Sequence, residues 1–125
     1  MRKIMIVEDE VWRDQKDFKK QFAAEIEVGR TQLVFVNYQQ AEKQLRQNSD
    51  IRIYAIDLFA GNNRNDVKTP ISLIREIRFT FRRKKVVVGM YASRIFVPEI
   101  LTKVDILCKK RDLREEINKK YDWIS

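Results

Sequence analysis

Short, mostly apolar runs that lead directly into charged residues are the feature of this sequence that most constrains its fold. Three such runs are followed by Glu8 and Asp9, by Asp57, and by Lys109. Runs this short and apolar are typical of strands that are buried on both faces of a parallel sheet. In an open parallel sheet, ligands bind just beyond the carboxyl ends of the strands. We therefore expect the side chains that follow these runs to share one pocket.

The rest of the chain alternates predicted strands with predicted helices. Strands are predicted at residues 3–7, 32–36, 51–56, 86–90 and 106–108, and helices at residues 11–27, 38–45, 70–81 and 113–121. A short helical piece interrupted by Pro98 precedes the last strand, and residues 59–69 have the Gly, Asn and Asp content of a long loop. Strands that alternate with helices at this spacing predict an α/β fold in which helices cover both faces of a parallel sheet.

The acidic residues that follow the strands predict a site for Mg²⁺. This cation takes one or two carboxylates, keeps several waters and commonly bridges to a phosphoryl group. Without a metal, Glu8, Asp9 and Asp57 should raise one another's proton affinity, and Lys109 should partly offset this effect. The chain has no histidine and a single cysteine, which excludes a zinc-type site.

Size and composition indicate one cytoplasmic domain. From 125 residues with 44% hydrophobic content we expect a single globular domain over residues 1–125, with no attached output domain. One cysteine excludes an intramolecular disulfide framework. No apolar stretch is long enough for a signal-peptide core or a membrane span, so we expect no membrane insertion.

The order and spacing of three segments resemble a known family. Residues 3–10 read KIMIVEDE, Asp57 follows the third predicted strand, and Lys109 follows the fifth. Over nearly its whole length the chain is similar to the receiver domains of two-component response regulators. The resemblance implies the CheY-like, flavodoxin-like α/β fold. This fold is a doubly wound, five-stranded parallel sheet with strand order 2-1-3-4-5 and helices on both faces.

The resemblance also implies a role for each residue of the predicted pocket. Asp57 would be the phosphoacceptor, and Lys109 would contact the phosphoryl oxygens. Mg²⁺ would be held by Glu8, Asp9, Asp57 and the backbone carbonyl of Phe59. The chain would be a stand-alone signalling protein and not an enzyme, with at most self-catalysed phosphotransfer and dephosphorylation. Its partners would be a sensor histidine kinase or a phosphotransfer protein and an unidentified downstream protein target, and a homodimer is also allowed.

The end of the fourth strand departs from the family pattern. Most receivers have Ser or Thr there, and its hydroxyl bonds the phosphoryl group. Residues 89–94 read GMYASR, which puts Tyr91 or Ala92 in this switch position, depending on the alignment. Neither has a short hydroxyl, and reaching Ser93 needs a further shift, although each one-residue shift turns a strand side chain to the other face. We therefore expect weak coupling between Asp57 and the loop after this strand.

Two other functions compete with a phosphorylated receiver. Lys109 is followed by Lys110 instead of the family's Pro, and Ile106 replaces the usual aromatic residue, which suits an atypical receiver that acts as a phosphorylation-independent interaction module. The net charge of +8 suits a nucleic-acid-associated factor. No nucleic-acid-binding motif accompanies this charge, so a solvated helix face is the simpler explanation. The basic residues in question are Arg75, Arg78, Arg82, Arg83, Lys84 and Lys85.

Overall fold

Five parallel strands form one sheet in the order β2-β1-β3-β4-β5. The strands are β1 Arg2–Val7, β2 Thr31–Val36, β3 Ile51–Asp57, β4 Val86–Tyr91 and β5 Ile106–Lys109. The computed structural model describes residues 1–8, 11–47, 50–58, 68–81, 85–91 and 103–121, with only the backbone of residues 11–13 and 68. The predicted flavodoxin-like sheet is thereby confirmed.

In the described part of the chain, helices follow β1, β2, β3 and β5. They are α1 Val11–Gln21, α2 Ala23–Glu27, α3 Tyr38–Gln44, α4 Lys68–Phe81 and α5 Leu113–Lys120, and a 3-10 turn spans Lys110–Asp112. The sequence predicted one helix over residues 11–27, whereas the structure ends α1 at Gln21 and begins α2 at Ala23. Gly29 follows α2 with a φ of 72°, a conformation that favours glycine and stops the helix. Among the described residues, no helix combines the length and the apolar character that crossing a bilayer requires.

Asn37 caps the start of α3. The side chain of Asn37 accepts a hydrogen bond from the backbone N–H of Gln40 at 2.8 Å. The side chain of Gln40 in turn accepts from the backbone N–H of Asn37 at 2.9 Å. This reciprocal capping box satisfies two backbone donors that a helix start otherwise leaves without partners.

The core has two layers because alternate residues of a strand face opposite sides of the sheet. Met5 and Val7 pack in the layer that contains α3 and α4, whereas Ile4 and Ile6 pack in the layer that contains Phe18 of α1 and the buried residues of α5. All four strand side chains are fully buried. The two layers confirm the prediction that helices cover both faces.

Candidate functional site

Charged side chains meet at the carboxyl end of the sheet. Glu8 directly follows β1, Asp57 is the last residue of β3, and Lys110 directly follows β5. Strands β1 and β3 are neighbours, with Val7 beside Ile56, so Glu8 and Asp57 leave the sheet next to each other. The carboxyl ends of β1, β3 and β5 therefore bring Glu8, Asp57 and Lys110 together.

The ammonium group of Lys110 lies between three carboxylates. Its Nζ is 3.2 Å from Glu8 Oε1, 3.1 Å from Asp57 Oδ2 and 3.2 Å from Asp14 Oδ2. The side chains of Glu8 and Asp57 are only 4% and 10% exposed, and those of Lys110 and Asp14 are about a quarter exposed. One ammonium balances one carboxylate. Three ionised acids would thus leave negative charge uncompensated in a largely buried pocket, which is costly.

Burial and the neighbouring charges together set the protonation of the site. Burial raises the pKa of Glu8 to about 8, although the attraction of Lys110 opposes the shift. Burial lowers the pKa of Lys110, but the combined attraction of Asp57, Glu8 and Asp14 outweighs it and holds this pKa above its ordinary value. At neutral pH, Lys110 is therefore charged and Glu8 carries a proton most of the time.

Two of the carboxylates fit a hard divalent cation. Glu8 Oε1 is buried and makes no hydrogen bond within the described part of the chain, although Lys110 Nζ is close to it. A buried carboxylate oxygen of this kind, beside Asp57, matches the one or two carboxylates that Mg²⁺ takes. Taken alone, the described acidic and cysteine side chains form no group of three that could hold a metal ion. Asp9 and Phe59, the other predicted ligands, lie outside the described residues.

The lysine at the carboxylates is Lys110, whereas the sequence analysis indicated Lys109. The backbone of Lys109 is still extended, so the alternation of β5 continues through it. Cys108 packs in the layer of α1 and α5, and Lys110, two residues later, faces the same side. None of the ion pairs among the described residues includes Lys109. The prediction chose the first residue after the apolar run, but side-chain direction decides which lysine reaches the pocket.

Asp14 is a residue of this pocket that the sequence analysis missed. It lies in the first turn of α1 and accepts a hydrogen bond from Lys110 at 3.2 Å. Its position in the sequence could have indicated this role, since an acid in the first turn of the helix after β1 lies close to the end of that strand. Contact with a lysine 96 residues away cannot be read from sequence spacing.

Tyr91, one of the two candidates for the switch position, is the last residue of β4. The register pairs Tyr91 with Lys109 and Met90 with Cys108. Tyr91 is thus beside the lysine that does not contact Asp57. Ala92, the other candidate, lies outside the described residues, as does Ser93.

The basic row on α4 is partly committed to internal contacts. The guanidinium of Arg78 donates hydrogen bonds to the backbone carbonyl oxygens of Lys85 at 3.0 Å and Lys103 at 3.1 Å. It also forms an ion pair with Asp105 at 2.8 Å. Arg78 therefore ties the end of α4 to the starts of β4 and β5, which weakens the case for a nucleic-acid-binding face. Outside the described residues lie Arg82, Arg83 and Lys84.

The chain has the fold of response regulator receiver domains. The response regulator TrrA of Thermotoga maritima in complex with Mg²⁺-BeF matches with a TM-score of 0.73 at 16% identity, over 97% of this chain and 100% of that chain. A response regulator receiver protein from Pseudomonas putida matches with a TM-score of 0.66 at 16% identity, over 94% and 96% of the two chains.

A third similar structure is a putative pilus assembly-related protein from Burkholderia pseudomallei. It has a TM-score of 0.67 at 11% identity, over 100% of this chain and 92% of that chain. Neither the family models nor the curated proteins provide a match to the sequence. At identities this low, the likeness shows the fold alone.

Proposed function

We propose that this protein is a receiver-type domain of two-component signal transduction that binds Mg²⁺ and accepts a phosphoryl group on Asp57. The observation that carries the proposal is the contact of Lys110 with Asp57 at 3.1 Å, beside the buried Glu8, at the carboxyl edge of a receiver-like sheet. The likeness to TrrA, a protein solved with Mg²⁺-BeF, supports it. The domain would signal through protein–protein contacts and would not be an enzyme beyond self-catalysed phosphotransfer and dephosphorylation.

The chemistry of such a site follows from charge. A carboxylate is a modest nucleophile, so attack on phosphorus requires in-line positioning and positive charge at the transferring oxygens. Bound Mg²⁺ would supply part of that charge. Glu8 and Asp57 would hold the cation together with Asp9 and the carbonyl of Phe59, and Glu8 would give up its proton on binding. Lys110, in place of Lys109, would pair with the remaining phosphoryl charge.

The phosphoryl group would come from a sensor histidine kinase or a phosphotransfer protein. An unidentified downstream protein would bind the phosphorylated form. The protein itself would be cytoplasmic.

Intact-mass measurement after incubation with acetyl phosphate and Mg²⁺ tests the proposal. We expect a gain of one phosphoryl group that disappears in Asp57→Asn, which keeps the shape of the side chain but removes its nucleophilic oxygen. Asp17→Asn is the matched control because Asp17 is an exposed acid on α1. A gain that persists in Asp57→Asn would refute the assignment of the phosphoacceptor.

The second candidate is an interaction module that works without phosphorylation. It is favoured by the position of Lys110, whose ammonium group contacts three carboxylates and thereby neutralises part of their charge. In this case the charged pocket would serve to hold the ends of β1, β3 and β5 together. A folded wild-type protein that gains no mass with acetyl phosphate or with a histidine kinase would favour this candidate.

A further inference from the structure

Asp14 and Gln21, both on α1, hydrogen bond to Lys110. Gln21 Nε2 donates a hydrogen bond to the backbone carbonyl oxygen of Lys110 at 2.8 Å, and Asp14 Oδ2 accepts from its ammonium group at 3.2 Å. The two residues are seven positions apart, which is two helical turns, so they lie on the same face of α1. The same face of α1 therefore contacts both the backbone and the ammonium group of Lys110.

We infer that Asp14 is a positioning residue that holds the Lys110 ammonium at a point shared with Glu8 and Asp57, and thereby competes with an anionic group on Asp57 for this lysine. The inference rests on the proposed function and concerns the regulation of the same site. Nothing in the receiver resemblance assigns a role to Asp14.

The geometry supports competition because the three oxygen atoms lie at nearly the same distance from Lys110 Nζ, between 3.1 and 3.2 Å. A phosphoryl group on Asp57 adds charge beyond the carboxylate, so the ammonium must turn from Asp14 toward the new oxygens. Asp14 also adds negative charge to a pocket that has to accept an anion. Both effects oppose an anionic group on Asp57, and solvent screens them little because Glu8 and Asp57 are largely buried.

The first test measures the affinity for beryllofluoride at saturating Mg²⁺ by titration calorimetry. Asp14→Asn should bind beryllofluoride roughly three- to tenfold more tightly than wild type, because one competitor for Lys110 is lost. Asp17→Asn removes the same charge from the same helix at an exposed position and should leave the affinity unchanged. Asp14→Glu keeps the charge and should restore an affinity close to that of wild type.

A Mg²⁺ titration without beryllofluoride separates positioning from metal binding. Asp14→Asn should weaken Mg²⁺ binding by no more than about threefold, since Asp14 would touch the lysine and not the cation. Loss of Mg²⁺ binding in Asp14→Asn would make Asp14 a metal ligand and overturn the inference. Equal beryllofluoride affinities in wild type and Asp14→Asn would overturn it as well.

A third measurement keeps the inference testable if wild type binds no beryllofluoride, an outcome that would reject the proposed function. The ammonium resonance of Lys110, followed by heteronuclear NMR on ¹⁵N-lysine-labelled protein and assigned with Lys110→Met, reports where the group is held. It should shift in Asp14→Asn, return in Asp14→Glu and stay in place in Asp17→Asn. A resonance that is the same in Asp14→Asn and wild type would show that Asp14 does not position this lysine.

Discussion

The phenol of Tyr38 donates a hydrogen bond to the backbone carbonyl oxygen of Asp57. Tyr38 is the first residue of α3, directly after the Asn37 cap, and it is buried in the core layer of α3 and α4. The Asp57 side chain points to the other face of the sheet, toward Lys110. The proposed phosphoacceptor is therefore held through its backbone from one layer while its carboxylate faces the charged pocket on the other.

Replacement of Tyr38 by Phe should lower the free energy of unfolding by about 1 kcal/mol, because it removes a donor to a buried carbonyl group. Tyr54 offers a matched control in the same core layer, since its buried hydroxyl makes no hydrogen bond among the described residues. Tyr54→Phe should leave the stability unchanged or raise it slightly. Urea unfolding of both variants checks this, and an equal loss in the two variants would contradict the importance of the Tyr38 bond.

Gly89 lies where the middle of β4 passes the residue after Asp57. A Cβ at this position would be 3.1 Å from Leu58 Cδ1, and Leu58 is almost completely buried. Gly89→Ala should therefore lower the free energy of unfolding by about 1–3 kcal/mol through overpacking. In the Leu58→Val background, Gly89→Ala should lower the free energy of unfolding by less, because valine lacks the two Cδ atoms that crowd position 89. Additive losses in a thermal or urea unfolding series would show that the contact is not the cause.

The stability of the metal-free protein should depend on Glu8 in a defined pH range. The folded-state pKa of about 8 lies above the ordinary value of 4.5, so the folded state holds this proton more tightly than the unfolded chain. The resulting stability is fully present below pH 4.5 and is lost as the pH rises toward 8 and above. Glu8→Gln cannot ionise and does not suffer this loss.

We accordingly expect Glu8→Gln to be more stable than wild type at pH 8.5 without metal, by on the order of 1–3 kcal/mol. The advantage should shrink as the pH is lowered to 5. Added Mg²⁺ should stabilise wild type and not the variant, because ligand binding favours the folded state. Melting temperatures over this pH range test the claim, with the exposed Glu27→Gln as control. A pH-independent difference would count against a buried, protonated Glu8.

The sequence predicted the sheet, and it indicated where Glu8 and Asp57 leave the sheet, because both depend on local patterns. Apolar runs of strand length and helical spacing set the order of elements, and the ends of the strands set where Glu8 and Asp57 emerge. The identity of the lysine depended on where β5 stops alternating, and a one-residue error there selects the wrong face. The contacts of Asp14 and Tyr38 were not predicted, because each residue meets a partner that is distant in the chain and that only the packing of the fold brings close.

The register of β4 and β5 leads to a prediction about the missing hydroxyl. Tyr91 pairs with Lys109, whereas the lysine that contacts Asp57 is Lys110. Tyr91 is therefore one residue before the position that would match Lys110. A hydroxyl introduced at position 92 should therefore restore coupling to the phosphoryl group, whereas one at position 91 should not. A charge-assisted hydrogen bond of this kind contributes about 1.5–3 kcal/mol, enough to make a partial switch nearly complete.

Hydrogen exchange across residues 90–97, with and without Mg²⁺ and beryllofluoride, measures this coupling. Wild type and Tyr91→Thr should gain little protection on addition of beryllofluoride, and Ala92→Thr should gain clearly more, because a ligand shifts an equilibrium only by its differential affinity for the two states. Tyr91→Phe serves as the control for removal of the existing phenol. Strong new protection in wild type would show that another group already replaces the hydroxyl. A response restored by Tyr91→Thr instead of Ala92→Thr would mean that the pocket approaches the other face of β4.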